Sequence, residues 1–314
     1  MTSNPGKSAL VYDVGGSHVA AAVCCEHGYR LGPVISSPHP GEGTSEAFIS
    51  LLHRLGLQAS AEDGTRLDVI AGAALAFPGP FDFTAGISWM KHKLPYLYGV
   101  DLRGELAARF GWQPLQVRFL LDSAAFLKGE IGAGAAKGVT RVVGITLGTG
   151  IGSAFAVDGH LVIDGPGVPP RGEVWDLPYD GKILEESVST RAIKGTYERL
   201  TGKTREVAEL AGIVDSDSAA AEAFHEFGRH LGLALNGALQ VFAPQVIVLG
   251  GGISRSPELF LPAAQKELKD VQAEFRVSTL LDNAALAGAG VEFFSHFATE
   301  GAQPVEEATQ VSAD

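Results

Sequence analysis

Four short stretches of this chain combine residue types able to handle phosphate or protons, and each sits at the end of a predicted strand. They are Asp13-Val14-Gly15-Gly16-Ser17, Leu121-Asp122, Gly148-Thr149-Gly150 and Gly250-Gly251-Gly252. A glycine bend with a hydroxyl exposes consecutive N–H groups, which suits a phosphate oxygen. The same residues also serve an ordinary hairpin. Asp122 opens a predicted helix, where a carboxylate either acts on a ligand or simply caps the helix. Strand ends are where α/β folds place ligands. Neither the GxxxxGKS/T nor the GxGxxG spacing is present, so a nucleotide site here needs a different architecture.

The elements that must hold these residues follow from periodicity. Residues 141–157 read as an apolar strand, a bend at 148–150 and a second strand, with Asp158-Gly159 as a further hairpin turn. Residues 8–25 repeat that plan around Gly15-Gly16, which predicts two related α/β halves. Helices are expected from Thr44 to Leu55, through Phe48, Leu51, Leu52 and Leu55, and from Asp101 to Phe110. Further helices are expected from Asp122 to Ala136, from Leu184, from Glu206, from Ala219 to Phe242, from Ser256 to Ala273 and from Ala284 to Phe297. Strands are expected at 69–77, 115–121, 245–249 and 276–280. Residues 81–99 and 160–182 read as irregular loops, and the tail at 300–314 is expected to be disordered.

Composition bounds the answer without choosing it. The chain has 314 residues, 46% of them hydrophobic, and a net charge of −12. That balance disfavours nonspecific nucleic-acid and anionic-membrane binding. No apolar run approaches the roughly 20 residues needed to cross a bilayer. The opening residues MTSNPGKS lack a signal core, and the adjacent Cys24 and Cys25 read as reduced core residues, so a cytoplasmic protein is expected.

DVGGS at 13–17, PGPFD at 78–82, LDSAAFLKGE at 121–130 and TLGTGIGSA at 146–154 are followed by GE at 172–173 and LEESVSTRAI at 184–193. VIVLGGGIS at 246–254 and DNAALAGAG at 282–290 complete the series. In this order and spacing the chain resembles the ROK family of sugar kinases, named for repressor, open reading frame and kinase. The resemblance implies an α/β, actin-like (ribonuclease H-like) two-domain fold with ATP and sugar in the interdomain cleft. It implies an N-terminal domain at 1–121, completed by the helix near 284–297, and a larger domain at 122–283. Asp122 would be the general base; Asp13, Gly15, Gly16 and Ser17 the first phosphate loop, with Asp13 holding Mg²⁺ through water; Gly148, Thr149 and Gly150 the second. Gly250, Gly251 and Gly252 would admit the adenosine. Gly79, Leu121, Glu173 and Glu185 would face the sugar, and the family suggests a homodimer.

Physical chemistry supports these roles. Phosphoryl transfer needs mainly positioning and charge stabilisation, plus one carboxylate aimed at the acceptor hydroxyl. A helix N-terminus lowers the pKa of a carboxylate placed there, so Asp122 is expected to be ionised at neutral pH. The departures gather at the sugar end. Leu121 stands where the family has Asn, Lys93 where it has a sugar-facing Asn, and Asp176 where it has His. The family's Cys-rich zinc loop is missing, so no zinc is expected, with Trp175 and Tyr179 the candidates to fix that loop by packing. His92, Lys93 and Arg171 raise the question of an anionic sugar, against solvated loop charges. The competing readings are a sugar-binding regulator and a polyphosphate-using kinase. Family repressors carry an N-terminal helix-turn-helix, for which the first strand leaves no room here; the acidic balance weighs against polyphosphate.

Overall fold

Each strand–bend–strand unit seeds a five-stranded sheet, and the two sheets repeat one plan. The computed structural model describes residues 7–40 and 43–300, without the side chains of 297–300. The first half runs β1 (Ser8–Val14), β2 (His18–Cys25), β3 (Ile35–Pro38), α1 (Ser45–Asp63) and β4 (Ile70–Phe77). It continues through the ribbon β5 (Phe81–Asp82) and β6 (Ile87–Ser88), then α2 (Leu102–Phe110), β7 (Val117–Leu121) and α3 (Asp122–Ala133). The second half runs β8 (Arg141–Leu147), β9 (Ile151–Val157), β10 (His160–Val162) and the ribbon β11 (Pro178–Tyr179) and β12 (Lys182–Ile183). It closes with α4 (Thr190–Thr201), α5 (Val207–Ala211), α6 (Ser218–Phe242), β13 (Val246–Gly250), α7 (Leu261–Glu267), β14 (Glu274–Val277) and α8 (Ala284–Glu300).

The strand orders are β3-β2-β1-β4-β7 and β10-β9-β8-β13-β14. In both, three strands form an antiparallel meander and two more add in parallel. The parallel strands therefore bring their carboxyl ends to one edge of each sheet. In the first sheet these ends are Val14, Phe77 and Leu121; in the second, Leu147, Gly250 and Val277. All four predicted motifs lie at these edges.

Apolar faces explain the helices. Thr44 caps α1 by accepting from the Ala47 N–H at 3.2 Å, and Phe48, Leu51, Leu52 and Leu55 are buried as their spacing predicted. In α6, Phe224, Phe227, Leu231 and Leu235 are buried, each contributing about 1.5–3 kcal/mol. Leu286, Ala289 and Phe293 of α8 pack onto the first sheet against Val11, Cys24 and Ala76. Where α3 crosses α8 the backbones touch: a Cβ on Gly288 would lie 1.7 Å from the Ala125 carbonyl oxygen. No helix among the described residues is long and apolar enough to cross a membrane.

Several expected elements differ. Residues 81–99 include a ribbon and a helical turn, pinned by buried Met90, Leu94 and Leu97. Residues 160–182 supply β10, β11 and β12. The helix expected from Leu184 starts at Thr190, because Ser189 provides its cap. The helix expected over 256–273 shrinks to Leu261–Glu267, with Pro262 in its first turn after the separate turn at Pro257–Leu259, and β14 starts earlier than expected. Most of the tail at 300–314 lies outside the described residues.

Candidate active site

The first phosphate-loop candidate is a tight turn, with the Gly15 N–H donating to the His18 carbonyl at 3.0 Å. His39, which no local pattern singled out, clamps it. Its backbone N–H donates to Ser17 O at 3.0 Å, its Nε2–H to Gly15 O at 2.8 Å, and its ring stacks on Phe48. Neither Gly15 nor Gly16 has a positive φ, so the bend does not require their conformational freedom. A Cβ on Gly16 would meet nothing within 4 Å. The same holds for Gly148 and Gly252, which also lack positive φ. Glycine at these three positions thus leaves open space over the backbone rather than relieving a fold constraint.

The second candidate loop is held from α4. The Thr190 N–H and hydroxyl both donate to Gly148 O, at 2.8 and 2.7 Å. A cavity of about 390 Å³ opens beside it, lined by Thr149, Thr190, Arg191, Lys194, Gly195 and Glu198. Gly150 answers to a neighbour: a Cβ there would fall 2.0 Å from Glu185 Oε2. Among the glycines of the four strand-end motifs Gly251 does need its conformation, at φ +82°, and its Cβ would strike Leu147 O at 2.3 Å. Gly250 lies against the Phe126 ring. The loops after β8 and β13 are therefore neighbours.

Asp122 and Asp282 act on the Asp13 carboxyl, and Glu173 acts on that of Asp122. Asp122 is the first residue of α3 rather than its cap, which is Leu121, and its Oδ1 accepts from the Ser123 N–H at 2.7 Å. Burial pushes its carboxyl above the usual range; the Ser123 bond and the Lys93 charge pull downward, and Glu173 pushes up again. The expectation that the helix end would hold Asp122 low is corrected: desolvation by burial outweighs the Ser123 N–H and the Lys93 charge. Asp13 is raised to about 7 by burial, then by the like charges of Asp122 and Asp282. No hydrogen bond or ion pair engages its carboxylate among the described residues. A buried carboxylate without a partner at a strand end suits a hard cation such as Mg²⁺, whose charge would offset this repulsion. Asp282 is itself paired to Arg255 at 2.7 Å.

Around Glu173 the loop is closely organised. Arg171 Nε donates to its Oε1 at 2.8 Å and Trp175 Nε1 to its Oε2 at 2.7 Å. Asp176 is tied to this group through Arg171, at 3.4 Å. The Glu185 N–H donates to Trp175 O at 3.0 Å, and Tyr179 reaches His230 at 2.7 Å. Trp175 and Tyr179 thus do fix the loop, by hydrogen bonds more than by packing. Leu121 Cδ1 stands 3.8 Å from where a Gly79 Cβ would be, so that wall is apolar. The Ser17 hydroxyl faces His18 Nδ1 at 3.4 Å. Ser153, Thr190, His39 and Asp282 were missed because their partners lie far along the chain.

The ROK family model matches residues 10–291. A glucokinase from Thermotoga maritima is 28% identical over 91% of this chain and 96% of its own length. The crystal structure of a ROK hexokinase from Thermus thermophilus superposes with a TM-score of 0.78 at 25% identity, covering 93% of this chain and 99% of that one. A ROK family glucokinase from Streptomyces griseus, in complex with glucose and AMPPNP, gives 0.72 at 21% identity over 90% and 98%. With two sheets of one topology, glycine loops at the carboxyl ends of their parallel strands and ROK structures superposing along its length, the chain has the actin-like two-domain fold and belongs to the ROK family.

Proposed function

We propose that this protein is an ATP- and Mg²⁺-dependent sugar kinase that transfers the γ-phosphoryl group to a hexose hydroxyl, O6 of glucose or a modified hexose. The observation that carries this reading is the open space over Gly16, Gly148 and Gly252 at the carboxyl ends of parallel strands, with Asp122 directly after the carboxyl end of β7. Backbone N–H groups freed of side chains can approach phosphate oxygens closely. Asp13 would hold Mg²⁺ through water, and the bound cation would supply charge neutralisation for the transferring phosphoryl group. Asp122 accepts the proton of the attacking hydroxyl. Its raised proton affinity makes it the stronger base once ionised, and Lys93 helps keep it ionised. Glu173 and Glu185 accept hydrogen bonds from other hydroxyls, and Leu121 packs on the sugar's apolar face.

Arg171 is engaged by Glu173 and Asp176, which removes one of the cations that pointed to an anionic sugar and favours a neutral hexose. The test is ADP release measured over hexoses, amino sugars and acidic sugars. Turnover of a neutral hexose is expected. Absence of turnover with every sugar, alongside thermal stabilisation by one of them, would replace the kinase reading with a regulator.

A further inference from the structure

The segment 170–176 is wound to present a single carboxylate. Arg171 lies in the left-handed region at φ +59° and Gly172 follows at φ +72°. For a long side chain the left-handed conformation is strained, so something must hold it. The buried Ser153 does so from β9: its hydroxyl donates to Gly172 O at 2.6 Å and accepts from the Val174 N–H at 3.0 Å. The result turns Arg171 back so that its Nε meets Glu173, while the Trp175 indole closes on the other oxygen. The same Trp175, through its carbonyl, receives the Glu185 N–H, and the Glu185 carboxylate rests against Gly150 of the second loop.

Building on the sugar-kinase reading, we propose that Trp175 and Arg171 are specificity-determining positioning residues, fixing the Glu173 carboxylate to accept two hydroxyls of a neutral vicinal diol. Each carboxylate oxygen has two acceptor directions. One per oxygen is taken by the indole and the guanidinium, and the remaining pair share the carboxylate plane with fixed separation. Adjacent sugar hydroxyls match such a pair. A substituent bearing negative charge would instead face the mutually repelling Glu173, Asp122 and Asp13, with Lys93 as the cation that acts on Asp122. Trp175 also ties the two acceptor-side glutamates into one unit, so its effect should pass through Glu173.

The test combines direct sugar binding by calorimetry with steady-state kinetics for the parent, Trp175→Phe, Arg171→Gln, Glu173→Ala and the Trp175→Phe, Glu173→Ala double variant. Trp175→Phe retains the ring and loses only the N–H. It is expected to weaken sugar binding and raise sugar KM about 10- to 100-fold, the effect of losing a charge-assisted hydrogen bond, with kcat and ATP KM within about threefold. In the Glu173→Ala background the same substitution should have no further effect. Sugars lacking one hydroxyl of the diol should become insensitive to it. Unchanged sugar affinity in Trp175→Phe, or an equal loss with and without Glu173, overturns the proposal while leaving the kinase reading intact. A parent that binds and turns over no sugar overturns both.

Discussion

Replacing Gly16 by Ala separates a glycine kept for the fold from one kept for a ligand. At Gly16 the backbone is not left-handed, and an added Cβ would meet nothing within 4 Å. Folding should therefore gain from the substitution: a Gly to Ala change at a compatible site stabilises by about 0.4–1 kcal/mol through the unfolded chain. For a chain of this size that raises Tm by about 1–3 °C. If a phosphate oxygen occupies the open space, the new methyl pushes it off the backbone N–H groups. Losing one hydrogen bond to a charged group removes about 1.5–3 kcal/mol, which is roughly 10- to 150-fold in nucleotide KM. The assay is a thermal melt together with ADP release at varied ATP, for Gly16→Ala, Gly148→Ala and the control Gly237→Ala. Gly237 is equally open but lies within α6, outside the glycine loops. It should show the melting shift alone. Parent-like nucleotide KM in both loop variants, or a marked loss of stability, would refute the assignment of that space to the donor.

Other expectations follow from the same geometry. Lys93→Met removes a cation that pulls the Asp122 pKa down, while Glu173 and the Asp13 carboxylate remain; the acidic limb of kcat/KM should move to higher pH, with activity near pH 9 least affected. An unmoved limb would mean that Asp122 is not the titrating base. Gly288→Ala would drive a Cβ to 1.7 Å from the Ala125 backbone at the α3–α8 crossing, and should cost about 2–4 kcal/mol in a denaturant melt. Gly150→Ala meets only the mobile end of Glu185, so it should melt close to the parent yet weaken sugar binding.

Much of this architecture was legible because local pattern carried it. The two strand–bend–strand units predicted a repeat, and the identical strand orders follow from it. Phe48 to Leu55 and Phe224 to Leu235 showed helical spacing because those faces are buried along their length. The glycine motifs also marked the right edges. What escaped notice depends on distant partners. His39 reaches Gly15 across 24 positions and Thr190 reaches Gly148 across 42, which no local pattern encodes. The start of α4 was misread because Leu184–Glu186 offers a helical turn before the true cap at Ser189. Asp122 does open a helix as its position predicts, but its proton affinity is not legible from the helix end alone, because burial raises it.

The central claim is that Asp122 takes the proton from a sugar hydroxyl as phosphate is transferred. Single-turnover phosphoryl transfer to the best acceptor sugar, with Asp122→Asn beside the parent, tests it most directly. Asparagine keeps the shape and the contact to the Ser123 N–H but cannot accept the proton, so the rate should fall about 10²- to 10⁴-fold while sugar and ATP affinities stay within a few-fold. Transfer at the parental rate in Asp122→Asn would contradict the account.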